Sequence, residues 1–194
     1  MEQRVQIGKY FLPALGIICL VIFVDQYTKW LVIETMLRLN GPASTGFVDW
    51  LTTMKKIEFF VNERENFKSI ALSPFLNFVM VWNQGISFGI MDSNSSHMPL
   101  VFITLSLVIS MMMVLWLVLN TQKAVAAALS LIIGGALGNV VDRVRFGAVV
   151  DFIDAHYQEH HWPAFNVADS CIVAGAGILM LISLFGKESA KRKE

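Results

Sequence analysis

The stretch that decides the fold is residues 134–170, which read GGALGNVVDRVRFGAVVDFIDAHYQEHHWPAFNVADS. An apolar run ends here at Asp142, and after a polar and aromatic segment a second apolar run opens near Asp169. Ionisable side chains at the ends of two membrane-crossing runs are costly and rare, so they mark a functional site by default. We therefore take these two carboxylates as the first candidates.

The composition of the chain is that of a membrane protein. Of its 194 residues, 55% are hydrophobic and only 15% are charged, whereas a soluble domain carries about 25% charged residues. The formal net charge is zero, so no basic excess suggests a nucleic-acid partner. Cys19 and Cys171 lie inside apolar runs without any CxxC spacing, which predicts packing roles and not a disulfide framework.

Four apolar runs are long enough to cross the hydrocarbon core, which takes about 20 helical residues. They cover about residues 10–37, 99–119, 124–142 and 167–185. The first follows a basic segment, as in a secretory signal peptide, but it is too long and lacks a cleavage site, so we expect a retained helix. Ser130, Gly134 and Gly138 form a small-residue face in the third run, suited to close helix contact.

We expect one membrane-embedded domain over residues 1–194, with an all-α bundle of four transmembrane helices. The segment between the first and second helices, about 40–92, differs in composition and includes a strand-like piece at 56–61. Aromatic and β-branched residues after Pro74 favour strand, and Asn83 with Gly85 indicates a turn. The sequence thus predicts a small extracytoplasmic β-sheet between helices 1 and 2, with Asn83 directed toward the site.

The distribution of basic residues predicts the orientation. The two short terminal segments and the loop 120–123 together hold seven Lys and Arg residues, and short basic segments of this kind stay in the cytoplasm. The third helix then runs outward for about 27 Å before Asp142, close to the whole thickness of the core. We therefore expect both termini to be cytoplasmic and both carboxylates to lie near the outer boundary.

Two carboxylates held close together do not both ionise readily, so the pair shares a proton. The ionised member can take a proton from water while the protonated member polarises a carbonyl, which is the chemistry of aspartic peptidases. Asn139 and Asn166 stand three residues before Asp142 and Asp169, and at helical spacing each falls on the face of its aspartate. Spacing alone leaves open that both aspartates are simply helix-end residues, with Asp169 favouring the helix dipole.

Asp25 and Lys29 lie four residues apart in the first run, so they share a helix face and can pair. This spacing fits two interpretations equally well. The two residues either form an ion pair that makes both charges tolerable in lipid, or they support a polar site in the bundle. Arg143 is suited to holding a carboxyl group or a lipid headgroup.

Several blocks resemble the signature motifs of bacterial lipoprotein signal peptidase, the signal peptidase II family. The blocks are DQYTK (25–29), NQGISF (83–88), GNVVDR (138–143), VVDF (149–152) and PAFNVADS (163–170). They follow the order of the family and extend over most of the chain, and together they are specific although each alone is weak.

The resemblance implies a membrane aspartic endopeptidase with an extracytoplasmic β-cradle, acting in the bacterial cytoplasmic (inner) membrane. It implies cleavage of prolipoproteins just before the diacylglyceryl-modified cysteine, with Asp142 and Asp169 as the catalytic dyad and water as the nucleophile. Partners would be such prolipoproteins and membrane lipids, with no metal or other cofactor. The site-shaping or substrate-binding positions that it implies are Asn83, Gly85, Asn139, Arg143, Asn166, Asp25 and Lys29. Two departures concern the substrate loop: segment 40–73 is longer than usual, and Ile86 and Ser87 replace small alanines.

Three other functions are compatible with parts of the sequence. A proton-coupled small membrane transporter would also use intramembrane carboxylates, but it predicts polar residues through the depth of several helices, and the second helix has no titratable residue. A metal site could combine His156, His160 and His161 with Asp151 or Asp154, although a HExxH core is absent. A membrane chaperone that presents its outer sheet to a partner is the third.

Overall fold

The structure, a computed structural model, describes residues 8–39, 45–52, 54, 67–85 and 98–191. Its helices are α1 (Phe11–Trp30), which continues as a π-helical segment (Leu31–Leu37), α2 (Phe47–Thr52), α3 (Met98–Leu119), α4 (Lys123–Phe146) and α5 (Val167–Lys191). Four stretches are long and apolar enough to cross a membrane: Phe11–Leu37, Pro99–Leu119, Lys123–Phe146 and Val167–Phe185. The predicted four-helix membrane bundle is confirmed, and the protein is a multi-pass membrane protein.

Helix α4 is the centre of the bundle. In its most apolar stretch 67% of the residues are buried inside the protein, against 28% or less in the other three spans. The predicted small-residue face explains how α1 approaches it so closely. A Cβ added at Gly134 would lie 2.8 Å from Val21 Cβ, and one added at Gly138 would lie 2.8 Å from a carboxylate oxygen of Asp25.

The sheet has four antiparallel strands in the order β1-β2-β3-β4. They are β1 (Ile70–Ser73), β2 (Leu76–Asn83), β3 (Val149–Tyr157) and β4 (His160–His161). The expectation that the sheet lies wholly between helices 1 and 2 needs correction, since β3 and β4 come from the segment between α4 and α5. The polar residues Asp151, Asp154 and His156 interrupt the apolar pattern of β3, so the sequence does not indicate a strand in this segment.

A tight turn brings β3 back onto the end of α4. Gly147 has φ +79 and donates its backbone N–H to the carbonyl of Arg143 at 3.0 Å, the left-handed helix ending that glycine adopts without strain. Residues 149 and 150 then pair with the end of β2, through Asn83↔Val149 and Trp82↔Val150. The end of α4, the end of β2 and the start of β3 therefore meet at one place.

The turn predicted after β2 is present. Asn83 Oδ1 accepts the backbone N–H of Gly85 at 2.8 Å, and Gly85 has φ +84, a conformation that favours glycine. The strand-like piece at 56–61 and the departures at Ile86 and Ser87 lie outside the described residues.

The contact between α1 and α4 yields a test in a matched pair of glycines. Gly134→Ala places its new methyl against Val21 and should lower the free energy of unfolding by about 1–3 kcal/mol, the usual effect of overpacking. Gly177→Ala in α5 meets nothing within 4 Å and should be neutral or stabilising by up to about 1 kcal/mol. Thermal unfolding midpoints in detergent measure both, and equal midpoints for the two variants would contradict this packing.

Candidate active site

A buried cluster of three charges ties the spanning helices together. Lys29 Nζ lies 2.7 Å from Asp25 Oδ2 and 2.7 Å from Asp142 Oδ2, and all three side chains are fully buried. The predicted pair of Asp25 and Lys29 is therefore present, and Asp142 extends it from α1 to α4. Asp25 Oδ1 also accepts the backbone N–H of Ala168 at 3.0 Å, so the cluster reaches the start of α5.

Asp142 is saturated with hydrogen-bond donors. Besides Lys29, its Oδ1 accepts Gln26 Nε2 at 2.8 Å and its Oδ2 accepts the backbone N–H of Val150 at 3.1 Å. The ammonium and the two N–H donors together hold both carboxylate oxygens in place. This arrangement suits a fixed structural anion that holds the start of β3.

Asp151 is the buried carboxylate of β3. Its Oδ2 accepts Asn83 Nδ2 at 3.0 Å and its Oδ1 accepts Asn166 Nδ2 at 2.7 Å. Burial, and then the negative charge of nearby Asp169, raise the pKa of Asp151 to about 7, although both amide donors and Lys29 act in the opposite direction. Its carboxyl group is thus poised to hold a proton near neutral pH.

Asp169 belongs to a reciprocal cap at the start of α5. Its backbone N–H donates to Asn166 Oδ1 at 2.9 Å, while its Oδ2 accepts the backbone N–H of Asn166 at 3.3 Å. This is the capping-box pattern, with Asp in place of the usual Glu or Gln. The other oxygen, Oδ1, accepts Asn139 Nδ2 at 2.7 Å. Asp169 is partly exposed, unlike Asp142 and Asp151.

Asn166 contacts the carboxylates of both Asp151 and Asp169. Its side-chain oxygen and backbone N–H serve the cap with Asp169, and its Nδ2 reaches Asp151 at 2.7 Å. The same Nδ2 lies 3.2 Å from both Asn139 Oδ1 and the carbonyl of Val150. A buried amide that uses all of its groups in this way has a fixed orientation, so the two carboxylates are held in a set relation.

The structure places the other predicted residues around this centre. Asn83 contacts Asp151, as described, and Gly85 follows it where any added Cβ would collide with the ring of Phe102. Arg143 donates to the carbonyl of Asn139 at 3.4 Å, and its guanidinium lies 5.2 Å from the centre of the same Phe102 ring.

Two details differ from the expectation based on spacing. Asn139 donates to Asp169, and not to the aspartate of its own helix. The pairing of Asp142 with Asp169 stays a prediction, but the contacts favour Asp151 as the partner of Asp169. Sequence reasoning named Asp151 only as a possible metal ligand and did not name Gln26, although the VVDF and DQYTK blocks contained both.

The histidines lie at the other end of β3. His161 Nδ1 is 2.8 Å from Asp154 Oδ1, and its ring stacks on that of His156 with centroids 5.0 Å apart. Burial alone would raise the pKa of Asp154, but hydrogen bonds from His161 and Asn77 outweigh it and bring that pKa below its ordinary value. Within the described ranges, no three His, Cys, Asp or Glu side chains are grouped to hold a metal ion.

Two carboxyl groups, Asp151 in β3 and Asp169 in the first turn of α5, are both bound by Asn166, and this arrangement fits the chemistry of an aspartic peptidase. The sequence model of the signal peptidase II family (Peptidase_A8) matches residues 17–185. The chain belongs to this family, which confirms the resemblance seen in its motifs.

Relatives and solved structures agree with this assignment. A lipoprotein signal peptidase of Acinetobacter baumannii is 35% identical over 181 residues, covering 92% of this chain and 86% of that protein. One from Polynucleobacter necessarius is 46% identical over 121 residues, covering 60% and 74%. A bacterial membrane enzyme solved by the in meso method at 1.9 Å superposes with a TM-score of 0.65 at 26% identity, covering 92% of this chain and 97% of its own.

The environment of Asp151 predicts a carboxyl titration near neutral pH. Because its pKa is raised to about 7, the group should be protonated below that pH and should ionise as the pH rises through it. The protonated-carboxyl C=O band in infrared difference spectra should therefore disappear with a midpoint near pH 7. Asp151→Asn should remove this transition.

Asp154→Asn is the matched control on the same strand. The pKa of Asp154 lies below its ordinary value, so its replacement should leave the transition near pH 7 unchanged. A transition that survives in Asp151→Asn, or disappears in Asp154→Asn, would refute the assignment.

Proposed function

We propose that this protein is a membrane aspartic endopeptidase that removes the signal peptides of prolipoproteins, cleaving before the diacylglyceryl-modified cysteine. Membership of the signal peptidase II family supports the reaction and the substrate class. The observation that carries the site is that Asn166 donates hydrogen bonds to the carboxylates of both Asp151 and Asp169.

Asp151 and Asp169 are the dyad in this proposal. Asp142 has three donors on its two oxygens, including the ammonium of Lys29, so both of its oxygens are already occupied in a fully buried place. Asp151 instead has a pKa raised to about 7 and responds to the charge of Asp169. A dyad needs two carboxyl groups that share a proton. The raised pKa of Asp151, beside the charge of Asp169, supports such sharing in this pair.

The two members have different tasks. Asp169 lies at the N-terminal end of α5, where the helix dipole favours negative charge, so it is the base that takes a proton from the attacking water. Asp151 carries the shared proton and donates a hydrogen bond to the carbonyl oxygen of the scissile bond. As the tetrahedral intermediate collapses, the proton on Asp169 passes to the leaving amine and the peptide C–N bond breaks.

The remaining site residues support these two. Asn83, Asn139 and Asn166 donate to the dyad, and each hydrogen bond limits where a carboxyl group can turn. Asp25 and Lys29 hold Asp142, and through it the start of β3. Arg143 and Gly85, both against Phe102, are placed to contact the substrate peptide or the headgroup of a membrane lipid.

The location of the site suits a lipid-modified substrate. The diacylglyceryl chains remain in the bilayer while the scissile bond lies at its surface, where helix ends and a sheet can reach it. We propose that residues 1–194 form a single domain in the bacterial inner membrane, with both termini in the cytoplasm and the site facing outward. The positive-inside distribution of basic residues supports this orientation.

Three single variants test the dyad through cleavage of a diacylglyceryl-modified prolipoprotein. Asp151→Asn and Asp169→Asn should each lower the cleavage rate by at least about 100-fold, the usual contribution of acid–base catalysis. Asp151→Asn should keep the unfolding midpoint of the wild type, because it removes no ion pair of the buried cluster. Asp169→Asn should lower the stability only by the loss of a helix-cap contact, about 1 kcal/mol. Asp142→Asn should lower the midpoint more, because Lys29 loses one of its two carboxylates.

Full cleavage by Asp151→Asn would sink the assignment of Asp151. The pairing of Asp142 with Asp169 would take its place if Asp142→Asn were inactive with an unchanged midpoint. The pH profile adds a second criterion: residual cleavage by Asp142→Asn should keep the pH dependence of the wild type.

A further inference from the structure

Arg145 is a buried arginine at the end of α4 that does not touch the dyad. Its guanidinium donates to Gln26 Oε1 at 3.0 Å and to the backbone carbonyl of Trp50 in α2. It also lies over two aromatic rings, 4.1 Å from the centre of the Trp50 ring and 4.4 Å from the centre of the Phe146 ring. Planar stacking with directed donors is the binding mode of arginine that lysine does not reproduce.

The contact with Gln26 fixes the direction of an amide. Because Arg145 occupies Oε1, the Nε2 end must face the charge cluster, where it donates to Asp142 at 2.8 Å and to Asp25 at 3.1 Å. Rotating this amide by half a turn would set its oxygen against two carboxylates and its N–H groups against a guanidinium. Arg145 therefore determines how Gln26 holds Asp142.

The contact with Trp50 holds α2 on the strand that bears Asp151. Trp50 packs in one apolar cluster with Ile33, Phe146 and Val150. Val150 directly precedes Asp151, donates its N–H to Asp142 and offers its carbonyl to Asn166. Helix α2 thus shares an apolar cluster with the residue that links the charge cluster to the dyad.

The charge of Arg145 is opposite to the net charge of the buried cluster. Asp25, Lys29 and Asp142 together carry two negative charges and one positive charge when all are ionised. Arg145, one amide away through Gln26, adds a positive charge that offsets the excess negative charge of these three groups. Charge balance inside a membrane protein lowers the cost of burying ions, so the cluster and Arg145 belong to one network.

We propose that Arg145 is a positioning residue for the peptidase: it clamps α2 onto β3 and orients Gln26, so that Asp142 and Val150 hold Asp151 in its catalytic position. The inference rests on the proposed dyad of Asp151 and Asp169. It makes the docking of α2 a condition for full turnover.

The first test separates kcat from KM for a diacylglyceryl-modified prolipoprotein. Arg145→Met should lower kcat by about tenfold with KM within about twofold, because a shift of the dyad slows chemistry without removing a substrate contact. Arg145→Lys keeps the charge and should recover part of the lost kcat. A kcat within twofold of the wild type in Arg145→Met, or a loss confined to KM, would overturn the proposal.

A double-mutant cycle tests the route through Gln26. Gln26→Leu should lower kcat, and adding Arg145→Met to it should cost less than about threefold more, because both changes act on one network. Losses that multiply would mean that Arg145 does not act through Gln26, and would refute this route. If Arg145→Met does not yield folded protein, the same cycle with Arg145→Lys decides the question.

Arg38→Met is the matched control. Arg38 is a partly buried arginine that pairs with the carboxylate of Glu34 at 3.3 Å. It directly follows the π-helical segment of the first span and is not one of the site residues. Its replacement should leave kcat within twofold, and an equal loss in this control would overturn the role of Arg145. Asp151→Asn, measured alongside, separates the two proposals: its full activity would refute the dyad, whereas a normal Arg145→Met beside an inactive Asp151→Asn would refute only the clamp.

Discussion

The ammonium of Lys29, held between Asp25 and Asp142 at 2.7 Å from each, is the interaction on which the rest of the structure depends. A buried charge inside a membrane bundle requires partners, and removing one partner of such a pair usually costs about 3–5 kcal/mol. Because Asp25 also accepts the N–H of Ala168, this one cluster joins α1, α4 and the start of α5. The helices are thereby fixed relative to one another at the end where the site lies.

The stabilising contacts and the site share their atoms. Asp142 receives the N–H of Val150, which fixes the backbone beside Asp151. Asn166 caps α5 with its oxygen and uses the opposite end of the same amide to hold Asp151. A helix cap is worth about 1 kcal/mol, and here it also sets the relation between two carboxyl groups. Preorganisation of the site is thus a consequence of how the bundle is closed.

Local patterns in the sequence predicted much of this arrangement. The lengths of the apolar runs predicted the four spans. The four-residue spacing of Asp25 and Lys29 indicated that they can pair, as they do. The three-residue spacing of Asn166 and Asp169 corresponds to their reciprocal cap. Such local patterns do not predict which side chains of different helices and strands contact one another. Asp142 and Asp151 are both carboxylates near the end of α4, and only the turn at Gly147 decides which one lies beside Asp169. The sequence did not predict strand β3, because polar side chains such as Asp151, which contacts Asn83, interrupt its apolar pattern.

The central claim is that Asp151 and Asp169 together hold the reacting water and carbonyl. The most direct measurement is a crystal structure of the protein with a peptide that carries a secondary alcohol in place of the scissile carbonyl, as a mimic of the tetrahedral intermediate. The hydroxyl should lie within about 3 Å of a carboxyl oxygen of Asp151 and of one of Asp169, with Asp142 still bonded to Lys29. A hydroxyl bound between Asp142 and Asp169, with Lys29 displaced, would contradict the account.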